Sequence, residues 1–190
     1  MAVRAMQLIV IIVLVFTTSF SSVQARSGDE PKLPSLISPD ALATVSGGGT
    51  VVVAGVPNTL ASFGVNAARP TGFVAGGAAV GHINYDKHAK VAGNHVNVPV
   101  VLMAAELTAT PSPNGSGGRA ILVGDCTAAG AECPAGIESV LVYVEDNADS
   151  GAGSDVFQIS YCVLAPSLSS AGCTLAEGGV LRSGNIQVSQ

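Results

Sequence analysis

Tryptophan is absent from the 190-residue chain, and aromatic residues of all kinds make up only 4% of it. Sugar recognition by stacked rings is therefore disfavoured, while a polar, calcium-assisted glycan site stays open. Phe63, Phe157, Tyr85, Tyr143 and Tyr161 fall in runs where burial is the simpler account of an aromatic ring. Charge is scarce as well, at 11% of residues, and acid exceeds base to give a formal net charge of −5. Phosphate backbones need clustered Lys and Arg, so nucleic acid is excluded as a partner. So little charge beside 23 glycines fits neither a disordered acidic tail nor a helical bundle. No stretch keeps a 3.6-residue apolar period over three turns.

Long apolar runs are also missing. The dense run Leu8 to Phe16 has nine residues, whereas a bilayer span needs about 20. It follows the basic n-region Met1 to Arg4 and precedes Thr17-Thr18-Ser19, with Val23-Gln24-Ala25 offering a small residue for cleavage. This three-part layout predicts a signal peptide over residues 1–25, cut after Ala25, and no membrane span thereafter. No Cys precedes Cys126, so no site for lipid attachment follows the leader, and there is no twin Arg. Secretion to a periplasmic or extracellular location is the expectation. The loss of Arg4 and of no acid leaves the exported part slightly more acidic.

The four cysteines, Cys126, Cys133, Cys162 and Cys173, agree with an oxidising destination. Each of the pairs Cys126–Cys133 and Cys162–Cys173 brackets a short polar, Ala-rich or Ser-rich stretch that reads as a loop. Those pairings are expected, each contributing about 2.5 kcal/mol in the chain-entropy model. Zinc is the weaker account, because neither spacing is the two-residue gap its clusters use.

Residues 26–46 carry Pro31, Pro34 and Pro39 without a sustained period and predict a linker or loose arm. Residues 47–190 predict a single all-β domain built from short runs separated by Gly, Asn, Asp and Pro. Candidate strands are 50–56, 60–67, 79–85, 90–96, 98–110, 120–125, 139–145, 156–163 and 180–188. Phe63, Val65 and Ala67 alternate with Ser62, Gly64 and Asn66, and Val140, Val142 and Val144 alternate with Leu141, Tyr143 and Glu145. Period two is the sign of a half-buried strand. The fold class is thus all-β, an antiparallel β-sandwich or barrel of about nine strands. One low-complexity loop, 110–118, holds the sequon Asn114-Gly115-Ser116.

The order of several short motifs carries a resemblance. Gly47-Gly48-Gly49-Thr50 opens the domain, followed by Phe63-Gly64-Val65-Asn66 and Gly81-His82-Ile83-Asn84-Tyr85-Asp86. Then come Val142-Tyr143-Val144-Glu145-Asp146-Asn147, Ser154-Asp155-Val156-Phe157-Gln158-Ile159-Ser160 and the closing Gly184-Asn185-Ile186-Gln187-Val188. Together, over about residues 46–190, these resemble a β-rich domain of bacterial exported proteins, the post-COAP type, which has no established catalytic role. The two Cys-bracketed insertions depart from that pattern. The resemblance implies an exported β domain of bacterial origin, a source the Ala and Gly content also favours, and it implies no activity.

Oxygen ligands gather at Glu145, Asp146, Asn147, Asp149 and Asp155, around the loop glycines Gly151 and Gly153. Calcium favours that donor set, although Ser150 stands where an EF-hand needs glycine. A hairpin turn uses the same residue types for backbone reasons. Calcium is the one metal the sequence singles out, and no other cofactor is implied. His82, His88 and His95 with Asp86 form a second cluster, without HExxH and without spacing for one helical face. G-x-S-x-G, CxxC, G-x-x-x-x-G-K and a strand-borne G-x-G-x-x-G are all missing, so no catalytic residue can be named. The expectation is a non-enzymatic module that binds a cell-surface or extracellular component, with a small secreted hydrolase or a purely structural domain as alternatives.

Overall fold

The computed structural model describes residues 43–53, 56, 58–70, 77–88, 95–107 and 117–189, which belong to one compact unit. They contain nine strands and no helix: β1 (Ala43–Val52), β2 (Leu60–Arg69), β3 (Val80–Lys87), β4 (His95–Leu107), β5 (Gly118–Asp125), β6 (Ser139–Asp146), β7 (Val156–Cys162), β8 (Cys173–Val180) and β9 (Ser183–Ser189). All pairings are antiparallel, in the order β8-β7-β6-β5-β4-β3-β2-β1-β9. The all-β, antiparallel expectation therefore holds, in the form of one curled sheet. No helix among the described residues is long and apolar enough to cross a membrane.

Period-two alternation decides which face each strand buries. Ala61, Phe63, Val65 and Ala67 of β2 are buried, and so are Ile83 and Tyr85 of β3, Val96 and Val98 of β4, and Phe157 and Ile159 of β7. Phe63 and Phe157 stack with ring centroids 3.9 Å apart, and Tyr85 lies 6.2 Å from Phe157. Four strands separate β2 from β7 within the sheet, so that contact exists only because the sheet folds over on itself. Two sites accommodate the bend. The first half of β4 pairs with β3 and the second half with β5, with a bulge between Val100 and Leu102. A bulge bends its strand and increases local twist. At the far side, β8 and β9 are separated only by Leu181 and Arg182, so the two edges of the sheet are consecutive in the chain. The Leu181 N–H donates to the Asp155 carbonyl and the Arg182 N–H to the Thr50 carbonyl, both at 2.8 Å.

In β5 and β6 the alternation disappears because both faces are covered. Ala120, Leu122, Val140 and Val142 join the interior, while Ile121, Val123 and Leu141 join Ala104 and Cys162 in a second cluster on the opposite face.

The strand count matches expectation through two offsetting differences. The sequence predicts separate strands over 90–96 and 98–110, divided at Asn97, whereas His95–Leu107 is one strand with Pro99 at the change of partner. The sequence reading contains no strand β8, since Cys173–Val180 is an edge whose one buried side chain is the charged Glu177 and which holds two adjacent glycines. Strand β1 begins at Ala43, inside the stretch read as an arm. The expected leader, the rest of that arm and the sequon lie outside the described residues. Both expected disulfides form, Cys126–Cys133 and Cys162–Cys173. The second joins directly opposed residues of β7 and β8. Two disulfides fit a non-reducing environment.

Candidate functional site

Two of the acidic residues read as calcium ligands, Asp155 and Asp146, are engaged with backbone amides. The Asp155 Oδ1 accepts the Asn147 N–H at 2.9 Å and the Ala148 N–H at 3.2 Å, and its Oδ2 accepts the Ile186 N–H at 2.8 Å. The Asp146 Oδ2 accepts the Val188 N–H at 3.1 Å. Ile186 and Val188 belong to β9, whose other side pairs with β1, so these carboxylates cap the outward amides of an edge strand. Glu145 accepts from the Tyr143 hydroxyl and, at 3.0 Å, from the Asn147 Nδ2, which also donates to the Ser154 carbonyl at 2.9 Å. Among the described residues no three His, Cys, Asp or Glu side chains are grouped to hold a metal ion. Bare N–H groups on β9 and in the β6–β7 turn thus use carboxylate oxygens of Asp146 and Asp155 that a cation would also need.

Burial pushes the Asp146 carboxyl above its ordinary value; the Val188 N–H opposes this, and the Asp155 and Asp149 charges add to it. Asp146 and Asp149 also form one wall of a pocket of about 230 Å³, whose other wall includes Thr44 and Ser46 of β1 and Asn185 and Gln187 of β9.

The histidines take separate places on the outward face of the sheet. His82 on β3 hydrogen-bonds the Asn97 side chain of β4, and His95 on β4 lies 2.8 Å from Glu132 of the β5–β6 loop. Glu132 is held there by two backbone hydrogen bonds with Asn97, of 2.9 and 3.0 Å, and by the neighbouring Cys126–Cys133 bridge. His88, past the end of β3, is exposed. Ser62, Asp86 and His95 do fall in one row across β2, β3 and β4. Their order is wrong for a nucleophile relay, which places His between Ser and acid. With adjacent strands about 4.8 Å apart, Ser62 and His95 stand two strand spacings from each other.

That row belongs to a larger pattern. Outward positions pair as Thr50–Ser183, Gly48–Asn185, Ser46–Gln187 and Thr44–Ser189 between β1 and β9. Next to them, on β2, Gly64 faces Gly48 and Asn66 faces Ser46. On β3, Asn84 faces Gly64 and His82 faces Asn66. Thr44 and Ser189 hydroxyls share a hydrogen bond of 2.6 Å, and Thr50 and Ser183 one of 2.8 Å. A Cβ added at Gly64 would meet nothing within 4 Å, so a trough crosses the middle of this face. Five strands thus present hydroxyls, amides and two imidazoles, with little formal charge.

The inward face holds polar groups as well. Lys87 of β3 pairs with the buried Glu177 of β8 across the interior. Burial, then the Glu177 charge, pushes the Tyr161 phenol up to about 12, and the same two causes also raise the Tyr85 phenol. Arg69, at the end of β2, is fully buried. Arg69, Lys87 and Glu177 escaped the sequence analysis, although Arg69 continues the inward phase of Phe63, Val65 and Ala67 and was visible in that register. Comparison with family models, with curated proteins and with solved structures finds no match for this chain.

Proposed function

We propose that the chain is an exported, non-enzymatic β module that binds an uncharged, hydroxyl-rich surface, a neutral polysaccharide of a cell envelope or matrix. Its recognition surface is the outward face of β9, β1, β2, β3 and the first half of β4. The observation that carries the proposal is the array of Ser, Thr, Asn, Gln and His side chains around the Gly48–Gly64 trough. Such side chains donate and accept hydrogen bonds without the desolvation cost of full charges. The leader at residues 1–25, the two disulfides and the resemblance to the post-COAP type domain support export from a bacterial cell. A hydrolase has less behind it, because Asp86 separates Ser62 from His95.

The test is co-sedimentation of the purified, oxidised protein with insoluble neutral polysaccharides. Wild type should be retained on at least one of them. Asn66→Ala with Asn84→Ala should lower retention about tenfold, the equivalent of about 1.4 kcal/mol, without lowering the melting temperature. Gly64→Lys, which fills the trough and adds charge above open space, should abolish retention. No retention of wild type on any neutral glycan would remove the proposal.

A further inference from the structure

Arg69 is 0% exposed, and its Nε, Nη1 and Nη2 atoms have no hydrogen-bond partner among the described residues. It continues the inward-facing series Ala61, Phe63, Val65 and Ala67 at the end of β2. Directly opposite on β1 is Ala43, and one position beyond the Ala68–Val80 pair lies Ala79. Both alanines are buried and carry no polar side-chain atom. The buried carboxylates are committed elsewhere: Glu106 to Arg119, Glu177 to Lys87, and Asp146 and Asp155 to amides of β9.

A guanidinium cannot shed its charge in a protein, and it brings five N–H donors in a fixed fork. Leaving all of them bare in the interior would cost several kcal/mol. An apolar side chain of similar volume would serve packing better at that position. The fork matches planar or tetrahedral oxyanions, which accept two parallel N–H···O bonds from it.

We propose that Arg69 is the anchor of an internal anion site at this end of the sheet, taking one carboxylate or phosphate-type oxyanion through its guanidinium. The site is independent of the outward polar face and of its glycan. Bound anion supplies the interior acceptors that the described residues do not, and it stabilises the fold as any ligand specific for the folded state does.

The experiment is thermal unfolding of the purified, oxidised protein at fixed ionic strength, titrated separately with inorganic phosphate and with acetate. One of the two should raise the melting temperature saturably, by about 5–10 °C at 100 times its dissociation constant. Whichever anion acts tells a phosphate-type source from a carboxylate source. Arg69→Met should fold, melt no lower than anion-free wild type and show no response. Arg69→Lys, a point charge without the fork, should respond at least tenfold more weakly by titration calorimetry. A wild type indifferent to both anions would overturn the proposal. So would an Arg69→Met variant that responds like wild type, or one that unfolds or melts several degrees lower in anion-free buffer. The last result would mean that another group of the chain already satisfies the guanidinium.

Discussion

Asp155 shows what a single carboxylate does in this fold. It is fully buried and accepts three backbone N–H groups, two from the turn after β6 and one from β9. Hydrogen bonds to a charged acceptor contribute about 1.5–3 kcal/mol each, and a buried donor left bare carries its desolvation cost. Asp155→Ala should therefore destabilise the protein by about 4.5 kcal/mol, the lower end of that range for three bonds, in urea titration. The loss should be the same with calcium or with chelator, because the carboxylate serves amides. Asp146 gives the pH counterpart. Its carboxyl titrates higher in the folded state than in the unfolded chain. As pH rises above about 3.9, the unfolded state ionises first, so stability is lost up to the raised folded value and stays lost above it. Asp146→Asn removes that loss while keeping an oxygen for the Val188 N–H. The variant should match wild type near pH 3 and exceed it at pH 7, as read from melting temperatures across that range. Glycine has equally local reasons. Gly184 has φ +100°, and a Cβ there would lie 2.0 Å from the Gly48 carbonyl oxygen. Gly184→Ala should cost about 3 kcal/mol, while Gly64→Ala, above open space, should be neutral or stabilising by about 0.5 kcal/mol.

At the scale of the element, the two edges of the sheet are protected by different means. Strand β9 is capped by Asp146 and Asp155. Strand β8 carries an irregularity opposite Ile159 and Ser160 and an inward acid, Glu177, paired with Lys87. Bulges and inward charges are both devices that keep an edge from recruiting another chain. Exposed Leu175 and Val180 on the same strand make that protection matter. Glu177→Ala alone should destabilise by about 3 kcal/mol, because Lys87 is left charged and without that partner in a buried setting. Lys87→Met with Glu177→Leu should recover most of that stability and yet aggregate faster, as followed by light scattering below the melting temperature. A double variant that stayed as monodisperse as wild type would show that the inward pair does not guard the edge.

The elements differed in how readable they were. Strands β2 and β7 alternate because one face meets the interior, so period two located them; in β6 the valines of one face carry the same signal although both faces are covered. Strand β8 has no such signal, since an exposed edge needs no apolar face and Gly178-Gly179 interrupts what there is. Strand β4 reads in the sequence as two segments divided at Asn97, whereas the strand runs through that residue and changes partners after Pro99. The acidic loop supports two readings in the sequence, a calcium site and a hairpin turn, because residue types alone do not separate a metal ligand from a cap for backbone amides. The polar face was not legible as a surface at all. Its residues come from five strands, and only the register places Asn66 beside Ser46 and His82.

For the whole molecule, the decisive feature is how a sheet with two free edges holds its curl. The stacked Phe63 and Phe157 rings and the Lys87–Glu177 pair join its two sides from within. Leu181 and Arg182 join its edges through the chain, and Cys162–Cys173 fastens the outermost strand at its first residue. That strand has little buried apolar surface of its own, so the covalent link matters more to it than to β5 or β6. Closing a loop of this length contributes about 2.5 kcal/mol, which corresponds to a melting shift of about 5–10 °C for a domain of this size. Replacing both Cys162 and Cys173 by Ser should produce that shift, and the loss should be local before it is global. In native-state hydrogen exchange, amides of β8 should exchange markedly faster, while those of β5 and β6 change only by the global loss. Uniform acceleration across all nine strands would instead make β8 part of the cooperative core, with the disulfide acting on the whole sheet at once.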